Sequence, residues 1–151
     1  MAAAVAVETP LYAFDDRNIR WHKLEGFEHF ELIVLDVDEK RKLVDLLVKF
    51  AANQQILLHR HLALTNTWVV QGEHRMYEPN GKLKEIRPVG RYTSSPPGDP
   101  HREGGGAEGA VVFYSFRGDG VFLEWLDDAL NIVATTSMED FSNLFKAQKN
   151  A

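Results

Sequence analysis

The sequence predicts an all-β fold, a small antiparallel barrel or sandwich with one helix at its C-terminal end. Short runs of β-branched and aromatic residues recur along the chain, turn residues separate them, and a clear helical pattern occurs only near the end. With 151 residues, of which 44% are apolar and 26% charged, the chain has the size and composition of a single globular domain.

Sequence patterns in the first half of the chain predict an N-terminal arm followed by two hairpins. Residues 1–30 mix isolated aromatics with turn residues and are expected to wrap around the outside of the domain. Residues 27–52 fit both a helical and a strand periodicity, but the charged DEKRK between two Val/Leu-rich runs favours a hairpin. The sequence PNGK predicts a second hairpin, in which Asn80 and Gly81 can adopt positive φ.

The second half predicts a long loop followed by three more strands. The segment Ser94–Gly109 contains three prolines and five glycines, a composition typical of a loop. The β-branched and aromatic runs at 110–116, 120–126 and 130–136 follow at short spacing, and each predicts an antiparallel strand.

A helix is predicted at the end of the chain. Ser137 and Asp140 have the spacing of a capping box, which places the helix over 137–149. Phe141, Leu144 and Phe145 would form its apolar face, which we expect to cover one end or edge of the sheets.

Charge and composition exclude several classes of partner and site. The formal net charge of −5 at pH 7 gives no general attraction to nucleic acid or to anionic membranes, so neither is an expected partner. The chain has no cysteine, which excludes disulfides and thiolate metal ligands. It has no run of 18 apolar residues, and residues 1–10 lack the features of a secretion signal, so a cytoplasmic location is expected.

Two histidines, His59 and His61, stand one residue apart in an apolar segment. In a strand, residues two apart face the same side, so both imidazoles could bind a single metal ion. The H-x-H pattern also occurs by chance in many chains, so by itself it leaves both interpretations open.

Two spaced patterns extend this pair: N-x5-H-x-H-x3-T-x6-G from Asn53 to Gly72, and G-x5-P-x-G-x2-H-x3-G from Gly90 to Gly105. They resemble the two motifs of the cupin superfamily, G-x5-H-x-H-x3-E-x6-G and G-x5-P-x-G-x2-H-x3-N. The matching residues are Gly72, Gly90, Pro96, Gly98, His59, His61 and His101. The departures are Asn53 for a glycine, Thr65 for the glutamate and Gly105 for the asparagine.

The resemblance implies a single small antiparallel cupin (jelly-roll) barrel over 1–151, with its metal-binding motifs in 53–109. The implied metal ligands are His59, His61 and His101. Because Thr65 replaces the glutamate, no acidic ligand is expected, and three neutral imidazoles would hold the ion. Fe(II) is the favoured ion, with Zn, Ni and Mn as alternatives.

The chain also resembles the three-histidine acetylacetone-cleaving and dihydroxyacetophenone dioxygenases. This implies a non-heme Fe(II) dioxygenase that uses O2 to cleave a C–C bond of a small 1,3-dicarbonyl or hydroxyketone bound as a bidentate enolate. Those families tend to carry a glutamate where this chain has Ser95. No catalytic residue beyond the metal ligands is assigned. Strand positions expected to contribute to substrate binding are Thr65, Arg75, Tyr77, Arg91, Tyr114 and Glu124.

Two other functions remain open. One is a non-catalytic zinc-binding or sensing cupin, and the other is a metal-assisted isomerase or lyase of a small acid, for which the motifs offer no general base. His22, His29 and His74 have no partner spacing and are interpreted as surface or packed histidines. A homodimer is expected, with the arm around Leu11 and Tyr12 as the docking segment.

Overall fold

The computed structural model describes residues 9–150, so the first eight residues of the predicted N-terminal arm and residue 151 lie outside the described residues. Within this range the chain forms nine strands followed by one helix. The strands are β1 (Phe30–Asp38), β2 (Leu43–Phe50), β3 (His59–His61), β4 (Leu64–Tyr77), β5 (Leu83–Pro88), β6 (Tyr92–Ser95), β7 (Arg102–Arg117), β8 (Val121–Leu126) and β9 (Ile132–Ser137), and the helix is α1 (Met138–Lys149).

The strands form two antiparallel sheets that share one core. The larger sheet has the order β1-β2-β7-β4-β5, with β6 also paired to β4, and the smaller one has the order β3-β8-β9. Val44 and Val112 from the larger sheet and Phe122 from the smaller one are completely buried in a common apolar cluster. The predicted all-β fold with a C-terminal helix is therefore confirmed.

Both predicted hairpins are present. β1 and β2 pair along their length, and β2 alternates buried and half-buried residues, as expected for a strand with one face in the core. The PNGK segment connects β4 to β5. Among its described residues only Gly81 has positive φ, at 89°, so the turn does not use Asn80 in this way.

The prediction of a loop over Ser94–Gly109 is wrong for most of its length. Only residues 96–100 are irregular, because β6 extends to Ser95 and β7 begins at Arg102. A Cβ atom on Gly104 would lie 1.8 Å from the carbonyl oxygen of Gln54, and one on Gly105 would lie 2.6 Å from Cα of Gly109. The glycines thus mark close backbone approach within a strand, which composition alone does not distinguish from a loop.

The C-terminal helix is confirmed together with its capping box, in which Ser137 and Asp140 exchange hydrogen bonds. Phe141 packs into the common core, and the side-chain amide of Gln148 bonds both the N–H and the C=O of Val34 on β1, each at 2.8 Å. These contacts attach the helix to the edge of the larger sheet. In the described part of the chain, no helix has the length and apolar character needed to cross a membrane.

Candidate metal centre

The three motif histidines lie together because two short segments run side by side. His59 and His61 on β3 pair with β8 and turn their side chains inward, where they are 2% and 9% exposed. His101 lies directly opposite His59, and the two residues exchange backbone hydrogen bonds of 3.0 and 2.9 Å. The structure therefore brings His59, His61 and His101 into one cluster, with ring centroids 4.5–5.1 Å apart.

A carboxylate, Glu103, lies in the middle of this cluster. Its Oε2 is 2.8 Å from Nε2 of His59, 3.1 Å from Nε2 of His101 and 3.7 Å from Nε2 of His61. One ligand atom from each of these four residues lies within 4.8 Å of the others. The expectation that no acidic group accompanies the histidines is therefore wrong, because β7 supplies a glutamate two residues after His101.

Hydrogen bonds made by the Nδ1 atoms fix the tautomers of the three imidazoles. Nδ1 of His59 lies 2.8 Å from the carbonyl oxygen of Leu57, and Nδ1 of His101 lies 3.1 Å from that of Asp99. A carbonyl only accepts, so both Nδ1 atoms carry the proton. In the neutral rings the Nε2 atoms are then unprotonated and point their lone pairs at Glu103, as metal-binding histidines require.

Thr65 fixes the tautomer of His61 in the same way. The Thr65 hydroxyl donates to the carbonyl of Ala63 at 3.0 Å, so its oxygen accepts from Nδ1 of His61, also at 3.0 Å. Nε2 of His61 is buried and has no hydrogen-bond partner among residues 9–150. Thr65 thus orients a ligand at the position where the cupin motif has a glutamate.

Burial and mutual contact shift the pKa values of these residues in different directions. Burial lowers the pKa of His61 to about 4. Burial acts in the same direction on His101, but its contact with Glu103 outweighs this and raises its pKa. Burial favours the neutral form of Glu103, yet the surrounding histidines hold its pKa well below the usual range.

Where the imidazoles are neutral, their lone pairs and the carboxylate oxygen need positive charge between them to lie this close together. A proton on His101 supplies part of that charge, and His61 does not take one near neutral pH. A divalent cation satisfies all four donors, and a set of three imidazole nitrogens and one carboxylate oxygen suits Fe(II), Zn, Ni or Mn. The residues present therefore fit a metal ion.

The other oxygen of Glu103 is anchored by two buried side chains. Nε2 of His74 donates to Oε1 at 3.0 Å, and the Tyr114 hydroxyl donates to the same atom. Burial and the charge of Glu103 raise the pKa of Tyr114 well above its usual value, so Tyr114 stays a donor. His74 is packed, as expected of a histidine outside the motifs, but it also holds Glu103, a contact that the motifs did not indicate.

Two cavities meet at the cluster. A polar cavity of about 200 Å³ opens toward the surface. Its lining includes His61, Thr65, Thr67, His74, Met76, Glu85, Arg87, Ser95, His101, Glu103 and Tyr114. An apolar cavity of about 50 Å³ lies on the core side, against His59, His61 and Glu103.

The six predicted substrate-binding residues divide into two groups. Two line the polar cavity: Thr65 and Tyr114. The other four lie outside its lining: Arg75, Tyr77, Arg91 and Glu124. Arg75 pairs with Glu73 at 2.5 Å beside a different surface cavity, and Glu124 accepts hydrogen bonds from Arg60.

A bulge in β4 explains why His74 lines the polar cavity and Arg75 does not. The register shift at Val69/Gln71, where β4 has one residue more than β7, changes the inward-facing positions of β4 from Thr65 and Thr67 to His74 and Met76. An inserted residue moves every following side chain to the opposite face, so His74 faces the cavity instead of Arg75. Simple alternation along the sequence cannot reveal such shifts.

Glu103 and Arg87 are two of the cavity residues that sequence reasoning missed. Glu103 lay inside the presumed loop, although H-x-E at 101–103 has the same two-residue spacing as H-x-H at 59–61. Arg87 faces the cavity because it pairs with His74 across β4 and β5. Recognising 101–103 as a strand would have placed Glu103 beside His101.

Comparison with known proteins supports the fold. No protein-family model matches the sequence, and no curated protein matches it. An RmlC-like cupin protein from Ralstonia eutropha superposes with a TM-score of 0.71 at 20% identity, covering 91% of this chain and 86% of that one. An acetylacetone dioxygenase from Acinetobacter johnsonii superposes with a TM-score of 0.71 at 12% identity, covering 97% and 99%.

A third structure is similar over a smaller part of the chain. The DMSP lyase DddQ from Ruegeria pomeroyi superposes with a TM-score of 0.53 at 18% identity, covering 66% of this chain and 56% of that one. The chain therefore has the cupin fold that its two motifs indicated, and proteins with different reactions share it.

Proposed function

We propose that this chain is a metal-dependent cupin enzyme, a non-heme Fe(II) dioxygenase that cleaves a C–C bond of a small 1,3-dicarbonyl or hydroxyketone. The observation that carries the proposal is the convergence of three imidazole Nε2 atoms and one carboxylate oxygen beside a polar cavity of about 200 Å³. That volume suits a small organic molecule. The shared fold with the acetylacetone dioxygenase of Acinetobacter johnsonii supports the reaction class.

The metal would be held by His59, His61, His101 and Glu103. A divalent iron bound there would supply a positive charge for an enolate and a redox partner for dioxygen. Glu103 presents only Oε2 to the imidazoles, because His74 and Tyr114 occupy Oε1. These anchors keep the carboxylate in place and prevent it from turning into the polar cavity.

The two cavities offer separate spaces for the two reactants. The polar cavity contains hydroxyl groups of Thr65 and Thr67, which suit an oxygen-rich substrate. The apolar cavity is large enough only for a very small molecule, at about 50 Å³, and touches His59 and His61. This arrangement supports a position for the substrate in the polar cavity and a separate one for dioxygen in the apolar cavity.

A second candidate is a metal-assisted lyase or isomerase of a small acid. His74 and Tyr114 place proton-bearing groups at the inner end of the polar cavity, which the motifs alone did not supply. The fold shared with a DMSP lyase is compatible with this reaction class. Such an enzyme would not consume oxygen.

Oxygen consumption separates these functions. The protein is purified anaerobically, its metal content is measured, and it is reloaded with Fe(II) and mixed with acetylacetone, other 1,3-dicarbonyls or hydroxyketones. A dioxygenase consumes one O2 per substrate and gives a carboxylic acid product. His59→Ala should abolish uptake, and the matched control His22→Ala should retain it.

Two other outcomes would contradict the dioxygenase. Substrate loss without oxygen uptake, in an anaerobic cell and across a panel of small acids, would favour the lyase or isomerase. Tight zinc binding with no turnover of any substrate would favour the non-catalytic zinc-binding cupin.

A further inference from the structure

Arg87 places a guanidinium group in the wall of the polar cavity. It lies directly opposite His74 in the pairing of β4 with β5, and side chains at opposite positions share one face of the sheet. Both residues line the polar cavity. Arg87 therefore faces the same space as three of the four candidate metal ligands, His61, His101 and Glu103.

The guanidinium is only partly satisfied by the protein. Nη1 donates to the Thr93 hydroxyl at 3.3 Å and Nη2 donates to Glu85 at 3.2 Å, and both distances are at the long end of the normal range. Nε is buried and has no hydrogen-bond partner in the described part of the chain. Since a guanidinium has five N–H donors in a fixed fork, several remain for another acceptor.

The cavity lining as a whole carries more carboxylates than cations, with Glu78, Asp99 and Glu103 among them, so the case for an anion is confined to the surroundings of Arg87. Glu85 is shared, because its Oε2 accepts from Arg87 while its Oε1 lies 3.6 Å from Arg91. One carboxylate thus faces two guanidinium groups, and Lys84 contributes a further positive charge to the cavity lining. A largely buried cation without a full set of partners is costly unless a ligand completes it.

We propose that Arg87 binds a carboxylate of the substrate while the other end of the same molecule reaches the metal centre. The substrate class is then a small dicarbonyl acid, and a neutral diketone such as acetylacetone would be a poor surrogate. This inference rests on the proposed function for the dicarbonyl part and on Arg87 alone for the carboxylate part. A guanidinium binds a carboxylate through two parallel hydrogen bonds, which also orients the ligand.

The test compares one ligand with and without its charge. Anaerobic titration calorimetry measures the binding of 4,6-dioxoheptanoate and of its methyl ester to the Fe(II)-loaded protein. We expect the acid to bind about 10- to 100-fold more tightly than the ester, the usual range for hydrogen bonds to charged groups. Arg87→Gln should remove this preference, and Arg87→Lys should retain part of it.

Glu85→Gln is the variant that separates ligand binding from a structural role. It removes the competing carboxylate, so the acid should bind more tightly than it does to the unmodified protein while the ester is unaffected. Equal binding of acid and ester by the unmodified protein, or weaker acid binding in Glu85→Gln, would overturn the proposal.

The same measurements distinguish a failure of the proposed dioxygenase function from a failure of the carboxylate site. Preferential acid binding that depends on Arg87, without oxygen uptake on either ligand, would leave the carboxylate site intact and reject the dioxygenase. Oxygen uptake with equal binding of the two ligands would reject the carboxylate site and leave the dioxygenase.

Discussion

His59 and Glu103 meet inside the fold, where Nε2 of the histidine lies 2.8 Å from Oε2 of the glutamate and the two side chains are 2% and 3% exposed. The Nδ1 proton of His59 is already directed at a carbonyl oxygen, so its Nε2 faces the carboxylate with a lone pair. A cation bound between the two atoms would make this contact favourable. The relationship supports the proposed metal centre with one acidic ligand, and the predictions below follow from that proposal.

Glu103→Gln should weaken metal binding by more than about tenfold, because the amide keeps the size of the side chain but removes its charge. Competition with a coloured chelator measures the affinity. Glu73→Gln is the matched control, since Glu73 pairs with Arg75 away from the cluster and should leave the affinity unchanged. Equal affinities in Glu103→Gln and the unmodified protein would remove Glu103 from the site.

His74→Ala should have an intermediate effect. His74 touches Oε1 of Glu103 and contributes no atom to the group of candidate ligands, so its loss should loosen the carboxylate without removing a donor. We expect affinity to fall about 10- to 100-fold, as for other residues that orient ligands, whereas His59→Ala should lose metal altogether. Identical metal content in His59→Ala and His74→Ala would contradict this ranking.

Thr65→Val should impair the site, although threonine is not a ligand. The change leaves the Nδ1 proton of His61 without its acceptor, which costs about 1–3 kcal/mol for a buried donor. Chemical denaturation of the metal-free protein measures that cost, and chelator competition measures the accompanying loss of affinity. Thr65→Ser keeps the hydroxyl and should behave like the unmodified protein; a serine variant as impaired as the valine variant would argue against this role.

Metal affinity should fall as the pH is lowered, because an ion must displace the proton that His101 shares with Glu103. Burial lowers the pKa of His101, but Glu103 raises it above the usual 6.5, so proton competition begins above that pH. His61, with a pKa of about 4, should compete only in strongly acidic solution. We therefore expect affinity to decrease about tenfold per pH unit below about pH 6.5.

Titrations with a chelator corrected for its own protonation would measure this slope. A constant affinity between about pH 5 and 7 would mean that no shared proton has to leave His101.

Gly104→Ala should destabilise the fold and disturb the metal centre together. The added Cβ would lie 1.8 Å from the carbonyl oxygen of Gln54, and the strand must move next to Glu103. We expect a loss of about 1–3 kcal/mol in the free energy of unfolding, as for other overpacked sites. Gly98→Ala, whose Cβ would meet only Pro96 O at 3.6 Å, should be nearly neutral; a similar loss in both variants would refute this explanation.

The overall fold could be predicted because its signals are local. Alternation in β2, the turn at Gly81 and the capping box at Ser137 each act over a few residues, and each survives in the structure. The glycines of β7 were misread because their role depends on backbone that lies far away in sequence, at Gln54. Composition carries no information about such long-range contacts.

The site was predictable as far as its motifs extend. The resemblance to the two cupin motifs indicated the three histidines, whereas the carboxylate depends on β7 beginning one residue after His101, within a segment that resembles a loop. Arg87 depends on cross-strand register, and a bulge in β4 turns His74 rather than Arg75 toward the cavity, which the sequence alone does not show. Long-range register therefore accounts for both the missed and the misplaced residues.

Anomalous-difference crystallography of protein crystallised anaerobically with Fe(II) tests the central claim most directly. We predict a single strong peak at about 2.0–2.3 Å from Nε2 of His59, His61 and His101 and from a carboxylate oxygen of Glu103. An ion bound elsewhere, or bound by the histidines with Glu103 turned away, would contradict the four-residue centre.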